Sequence, residues 1–78
     1  MAKVELYGAR SCPYTAELIE ELEWQGQEFS YHDVEADKYA LGRMLELTGN
    51  ERTVPVLVED GRVKEIGFRG RGCLVDAG

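Results

Sequence analysis

Seventy-eight residues, 44% hydrophobic and 31% charged, fit one small globular domain spanning 1–78. A chain this short buries roughly 60% of the surface its unfolded form exposes, which excludes a second folded domain and a deep internal tunnel. A net charge of −6, from nine basic and fifteen acidic residues, argues against a nucleic-acid partner, and no apolar run is long enough to cross a membrane.

Val4 to Tyr7 reads as a strand, with Val4 and Leu6 alternating with Glu5 and Gly8 closing it. Pro13 to Gln25 reads as a helix. Proline suits the first helical position, Tyr14, Leu18 and Leu22 recur on one side, and Gly26 supplies the stop. Glu28 to Asp33 reads as a second strand. Asp37 caps a second helix that runs to about Thr48, before Gly49-Asn50. Val54 to Val58 is an apolar run interrupted by Pro55, suited to a strand buried on both faces. Asp60-Gly61 is a hairpin signal, and Val63 to Phe68 is the partner strand. The last ten residues are too short and glycine-rich to predict a helix. The order is βαβαββ, an α/β chain. Two βαβ crossovers imply parallel pairing, and the hairpin adds an antiparallel edge, giving a four-stranded mixed sheet with helices packed on it.

The two cysteines, Cys12 and Cys73, are too few for a secreted disulfide scaffold. With one histidine they cannot close a zinc site from this chain alone, so no metal is expected. The first eight residues show no apolar signal segment, and the chain is expected in the cytoplasm. Cys12 stands where the first strand turns into the first helix. Unpaired N–H groups of the first turn point at it, and the helix dipole favours a negative sulfur by up to about 2 kcal/mol. That stabilises a thiolate and makes Cys12 a candidate nucleophile, the alternative being a buried, inert cysteine. Thr15, three residues on, returns to the same side and would donate a hydrogen bond to the thiolate. Pro55 admits two solutions. A trans proline at a strand start is favoured by frequency alone; a cis Val54–Pro55 bond would leave the Val54 backbone free to pair with an extended peptide.

Arg10, Arg52, Arg69 and Arg71 are either a local cationic patch near Cys12 or scattered solvated side chains. Arg69-Gly70-Arg71-Gly72 is a single RNA-type arginine–glycine segment, weak evidence on an acidic chain. His32 reads as a half-exposed strand residue without a catalytic partner. Trp24 reads as packing, and the glutamates of the first helix as a solvated face.

From Val4 to Cys73 the chain resembles the glutaredoxin family of the thioredoxin fold. The resemblance rests on Tyr7-Gly8, Cys12-Pro13-Tyr14-Thr15, Thr53-Val54-Pro55, the hairpin, and a glycine-rich turn with Gly72-Cys73. It is most similar to the small Uxx-star group, in which selenocysteine can take the place of Cys12. The resemblance implies a glutathione-dependent thiol–disulfide oxidoreductase that reduces mixed disulfides through Cys12. Glutathione is then a co-substrate, with no tightly bound cofactor, and the working form is a monomer. It also implies a cis Pro55 and a glutathione groove formed by Arg10, Tyr14, Thr53, Val54, Pro55, Gly72 and Cys73, with Val54 pairing with the backbone of glutathione's cysteine.

Three departures stand out. Thr15 replaces the second cysteine of the two-cysteine motif, which implies a monothiol route. Ala9, with Arg10 beside it, stands where the family carries a basic residue. Leu74-Val75 follow Cys73 where acidic residues usually open a last helix, so that helix is expected to be short or missing. Cys73 itself has three readings: a resolving thiol, a groove-lining residue, or a structural one. Two alternative functions remain at this level. One is a [2Fe–2S] carrier working as a glutathione-bridged dimer; the other is a non-catalytic binding module.

Overall fold

The computed structural model describes residues 3–75. Its main sheet holds β1 (Val4–Gly8), β2 (Ser30–Asp33), β4 (Val56–Glu59) and β5 (Arg62–Ile66) in the order β2-β1-β4-β5. Helices α1 (Pro13–Trp24) and α2 (Lys38–Thr48) cover it. Two further two-residue strands, β3 (Thr53–Val54) and β6 (Cys73–Leu74), pair with each other in a second sheet.

Side chains on a strand alternate between faces, and here the alternation separates two cores. Leu6, on β1, packs with Leu18 and Leu22 of α1, joined by Leu57 and Phe68. Its neighbour Tyr7 belongs to the other cluster, with Val56, Val58, and Ala40 and Met44 of α2. The helices therefore lie on opposite faces of the sheet. The central position of β1 explains why four of its five residues are buried.

The helix ends follow the sequence signals. Cys12 is the N-cap of α1 with an extended backbone, and Pro13 opens the helix. The Asp37 carboxylate accepts from the Tyr39 and Ala40 N–H groups at the start of α2, and Gly49 ends that helix with a φ of 71°. Trp24 departs from the packing role read for it: it is 88% exposed, because it lies on the polar side of α1's last turn.

Two expectations on strand pairing are corrected. β1 and β2 are parallel, but β4 is antiparallel to β1, so the second crossover is not a parallel unit. The chain returns to the Cys12 end of the sheet before β4 begins, and Val56 pairs with Tyr7 there, so β4 must run away from that end. The apolar run also does not form one strand. Pro55 lacks the N–H a ladder needs and divides it, leaving Thr53–Val54 for β6 and Val56–Glu59 for the main sheet. The β4–β5 turn is as expected: Asp60 and Gly61 both have positive φ, 53° and 79°, with Glu59 opposite Arg62.

The glycine-rich turn is tightest at Arg69-Gly70, just ahead of Gly72-Cys73. Arg69 and Gly70 take φ of 55° and 78°, and Phe68 and Arg71 exchange backbone hydrogen bonds of 2.6 and 3.0 Å. It turns the chain back so that Cys73–Leu74 runs beside Thr53–Val54. Val75 follows without entering a helix; the expected short or missing final helix lies beyond it, outside the described residues.

The approach of α1 to β1 depends on Gly8. A side-chain carbon at Gly8 would stand 2.9 Å from Thr15 Oγ1, and Thr15 is itself buried. Gly8→Ala is expected to destabilise the protein by about 1–3 kcal/mol through overpacking, measured as a lower urea midpoint at unchanged slope; an unchanged midpoint would contradict this packing.

Candidate active site

Cys12 is placed by the turn from β1 into α1. Its N–H donates to the Ala9 carbonyl (3.0 Å), and its own carbonyl accepts from Ala16 (3.3 Å). Ser11 Oγ donates to the Glu35 carboxylate at 2.8 Å, holding this turn against the loop after β2. The sulfur faces inward, and Cys12 is only 2% exposed.

Cys73 lies against it. The two form a disulfide with a Cα–Cα separation of 6.0 Å across 61 residues of sequence, an ordinary span for such a bridge. Of the three readings of Cys73, the structure brings its sulfur to Cys12. Cys73 is the more accessible of the pair, half-buried where Cys12 is buried.

Backbone pairing fixes this approach. Thr53 is opposite Leu74 and Val54 opposite Cys73, antiparallel, and the Val75 N–H donates to the Arg52 carbonyl at 3.0 Å. Antiparallel ladders alternate bonded and non-bonded pairs, so Val54 and Cys73 form the next hydrogen-bonded pair. Cys12 Sγ lies 3.9 Å from the Val54 carbonyl oxygen. The Val54–Pro55 bond is cis, and Val54 and Pro55 are buried. The backbone edge of Val54, expected to receive glutathione, is thus occupied by the chain's own Cys73.

The remaining expected site residues divide. Tyr14 is half-buried and lines a groove of about 310 Å³ with Glu17, Phe68, Arg69 and Arg71. Arg69 lies over the Phe68 ring, 5.0 Å from its centroid, and 4.0 Å from the Glu21 carboxylate. Gly72 passes so close to Thr53 and Val54 that a side-chain carbon on it would stand 2.6 Å from the Val54 carbonyl oxygen. Arg10 lies elsewhere, lining a small pocket with Thr15, Ile19 and Tyr31. Its charge is felt at Tyr31, whose phenol is raised by burial and by Asp33, with Arg10 acting in the opposite sense. Arg69 and Arg71 share one groove, Arg10 lines another pocket, and Arg52 enters the site through its backbone carbonyl.

Thr15 Oγ1 accepts from the Ala9 N–H at 3.3 Å, under Gly8. This hydrogen bond secures the end of β1 and does not run to the Cys12 sulfur, where the sequence placed it. His32 stacks on Tyr7, with ring centroids 4.7 Å apart, and contacts Glu5 at 3.3 Å. Burial, then the Glu5 charge, raises the Tyr7 phenol, opposed by Arg43. This cluster lies along β1 and β2, and its Tyr7 belongs to the same core cluster as Cys12.

The sequence profile of the glutaredoxin family matches residues 4–64. The chain belongs to the glutaredoxin family. A solved mutant of the thioredoxin-like protein BC3987 is 30% identical, aligns over 88% of this chain and 86% of its own, and superposes with a TM-score of 0.78. The glutaredoxin of Archaeoglobus fulgidus has the same fold at 24% identity, covering 88% of this chain and 78% of that one, with a TM-score of 0.76. Glutaredoxin 1 of Francisella tularensis follows at 21% identity over 87% and 85% of the two chains, TM-score 0.62. No curated protein sequence matches the chain. As a glutaredoxin the protein is by family a thiol–disulfide oxidoreductase, and Cys12 and Thr53-Val54-Pro55 lie within the matched segment. Cys73 lies beyond the matched segment.

Leu74 and Val75, and Arg52 through its carbonyl, enter the site by backbone pairing. The two apolar residues after Gly72-Cys73 are the signal that suits a strand there. Closing a 61-residue loop is worth about 4 kcal/mol in the chain-entropy account. The oxidised protein is therefore expected to resist urea more than the reduced protein by about that amount, and Cys73→Ser should show no difference between the two conditions. Equal stability of oxidised and reduced wild type would contradict the bridge.

Proposed function

We propose that this glutaredoxin reduces disulfides by a two-thiol cycle in which Cys12 attacks and Cys73 resolves, with glutathione as the electron donor. The observation that carries this reading is the Cys12–Cys73 disulfide, formed although the second cysteine of the usual motif is Thr15.

In the first step the Cys12 thiolate attacks a substrate disulfide. A bond forms between Cys12 and one substrate sulfur, the substrate S–S bond breaks, and the departing sulfur takes a proton. The Cys73 thiolate then attacks Cys12 Sγ, the internal disulfide forms, and the second substrate sulfur leaves and is protonated. One glutathione thiolate opens the internal disulfide to give a mixed disulfide. A second releases the reduced protein and leaves as oxidised glutathione. The electrons lost by two glutathione thiols equal those gained by one substrate disulfide.

The position of Cys12 supports the first step. It caps α1, where the helix dipole stabilises a thiolate. Arg69 and Arg71 in the neighbouring groove supply positive charge for the departing sulfur and for glutathione's carboxylates, and Tyr14 walls the groove. Protein disulfides and glutathione mixed disulfides are the substrate class. The bridge needs no second chain, so the cycle runs in a monomer and requires no tightly bound cofactor, and the cytoplasm is the compartment that supplies glutathione. The monothiol route through Cys12 alone is what remains when Cys73 is removed. A cluster carrier would need Cys12 to bind iron, and closing the Cys12–Cys73 bridge withdraws that sulfur from any metal.

Intact-mass analysis after incubation with oxidised glutathione tests the cycle. Wild type should end as the internal disulfide without retained glutathione, Cys73→Ser should hold one glutathione, and Cys12→Ser should show neither the bridge nor turnover. Turnover by Cys12→Ser, or a stable glutathione adduct on wild type without the bridge, would overturn it.

A further inference from the structure

Helix α2 has two unlike faces. Ala40 and Met44 are buried against the sheet. Lys38, Tyr39, Gly42, Arg43 and Glu46 are exposed, and they line a shallow, mostly apolar groove of about 360 Å³ on the outer side. Three features of that outer face weaken or strand the helix, and nothing in the single chain offsets them. Gly42 is a mid-helix glycine, after proline the residue least suited to a helix interior. Its φ is not left-handed, and a side-chain carbon there would meet nothing within 4 Å, so neither backbone conformation nor packing in this chain calls for glycine. Lys38 is the first residue of the helix and Glu46 lies in its last turn, each at the end where the helix dipole disfavours its charge. Neither forms an ion pair among the described residues. Tyr39, next to Lys38, is 91% exposed.

We propose that a second copy of this chain occupies the groove, with α2 packed antiparallel against α2 and the two Gly42 residues at the crossing. Lys38 and Glu46 each stand one helical turn from Gly42, on opposite sides of it. The antiparallel arrangement therefore sets Lys38 of each copy opposite Glu46 of the other. The glycines let the two backbones approach closely, and antiparallel dipoles attract. With 3.6 residues per turn, Tyr39 of one copy falls on the same side as Arg43 of the other, within reach of a cation–π contact. The contact is isologous, so it closes at two chains and does not propagate. Charge complementarity selects this occupant: a net charge of −6 makes copies of the chain repel, whereas this patch is complementary to itself. A helix of 11 residues is about 16 Å long, so the interface is smaller than a permanent dimer needs. The association is accordingly weak, with a dissociation constant on the order of 0.1–1 mM. Each copy keeps its own Cys12–Cys73 pair, so the thiol cycle stays within one chain.

Sedimentation equilibrium of the oxidised protein, between about 0.02 and about 2 mM, tests this. Non-reducing electrophoresis checks that no disulfide links the chains. Wild type should pass from one chain to two over that range. Lys38→Glu and Glu46→Lys should each weaken association by about tenfold or more, since each turns both ion pairs into repulsions. Both reversals suit the helix dipole, so the single chains should remain folded. An equimolar mixture of the two variants should regain the association, because in the mixed pair both contacts again join opposite charges. Gly42→Ala should weaken the dimer by about tenfold while raising the urea midpoint of the single chain, a combination that a glycine needed by the fold would not give. Wild type that stays one chain at the highest concentration overturns the proposal. So does a dimer that neither charge reversal weakens, or one that the mixture of the two variants fails to restore.

Discussion

The site depends on the Val54 backbone. Its edge pairs with Cys73, and its carbonyl oxygen lies 3.9 Å from Cys12 Sγ. Its side chain is fully buried among Val56, Met44 and Val75 of one core cluster. The position of Val54 is thus set by core packing, and the two cysteines are set by Val54. Pairing by Val75 to Arg52 extends the same short ladder and anchors its far end, with the Val75 side chain buried. Two strands of two residues would not be stable alone. They persist because both ends of the ladder are fixed in the protein interior and because the disulfide joins its partner strand to α1.

The other side of the site is built on a close approach. Thr15 fits under Gly8 and accepts from the Ala9 N–H, which fixes the first turn of α1 against the end of β1 and so positions Cys12 as the N-cap. In this chain Thr15 acts as a spacer and an acceptor. That placement accounts for a site whose partner cysteine comes from residue 73: the position after Cys12-Pro13-Tyr14 faces the sheet, while the open side of Cys12 faces β3 and β6.

Much of this was legible in the sequence. Pro13, Asp37, Gly49 and Asp60-Gly61 mark their boundaries by local chemistry, and the structure places all of them at helix ends or in the hairpin. The resemblance to the glutaredoxin family located Cys12, Tyr14 and Val54-Pro55. Three features were not legible. The direction of β4 is decided by where the chain re-enters the sheet, which periodicity does not encode. The strand at Cys73 is only two residues long, and its partner is distant in sequence, so no local pattern announces it. The arginines look alike in the sequence, yet Arg69 and Arg71 are carried to the groove by the tight turn at Arg69-Gly70 while Arg10 faces Tyr31.

The central claim is that the chain's own Cys73 strand occupies the Val54 edge when Cys12 and Cys73 are joined. Amide hydrogen exchange on the oxidised protein tests it residue by residue. The N–H groups of Val54, Cys73 and Val75 should be protected, and that of Leu74, in the non-bonded pair between them, should exchange rapidly. Rapid exchange at Cys73 and Val75 as well, with the disulfide intact, would show that the segment is tethered by its sulfur alone and would contradict the account.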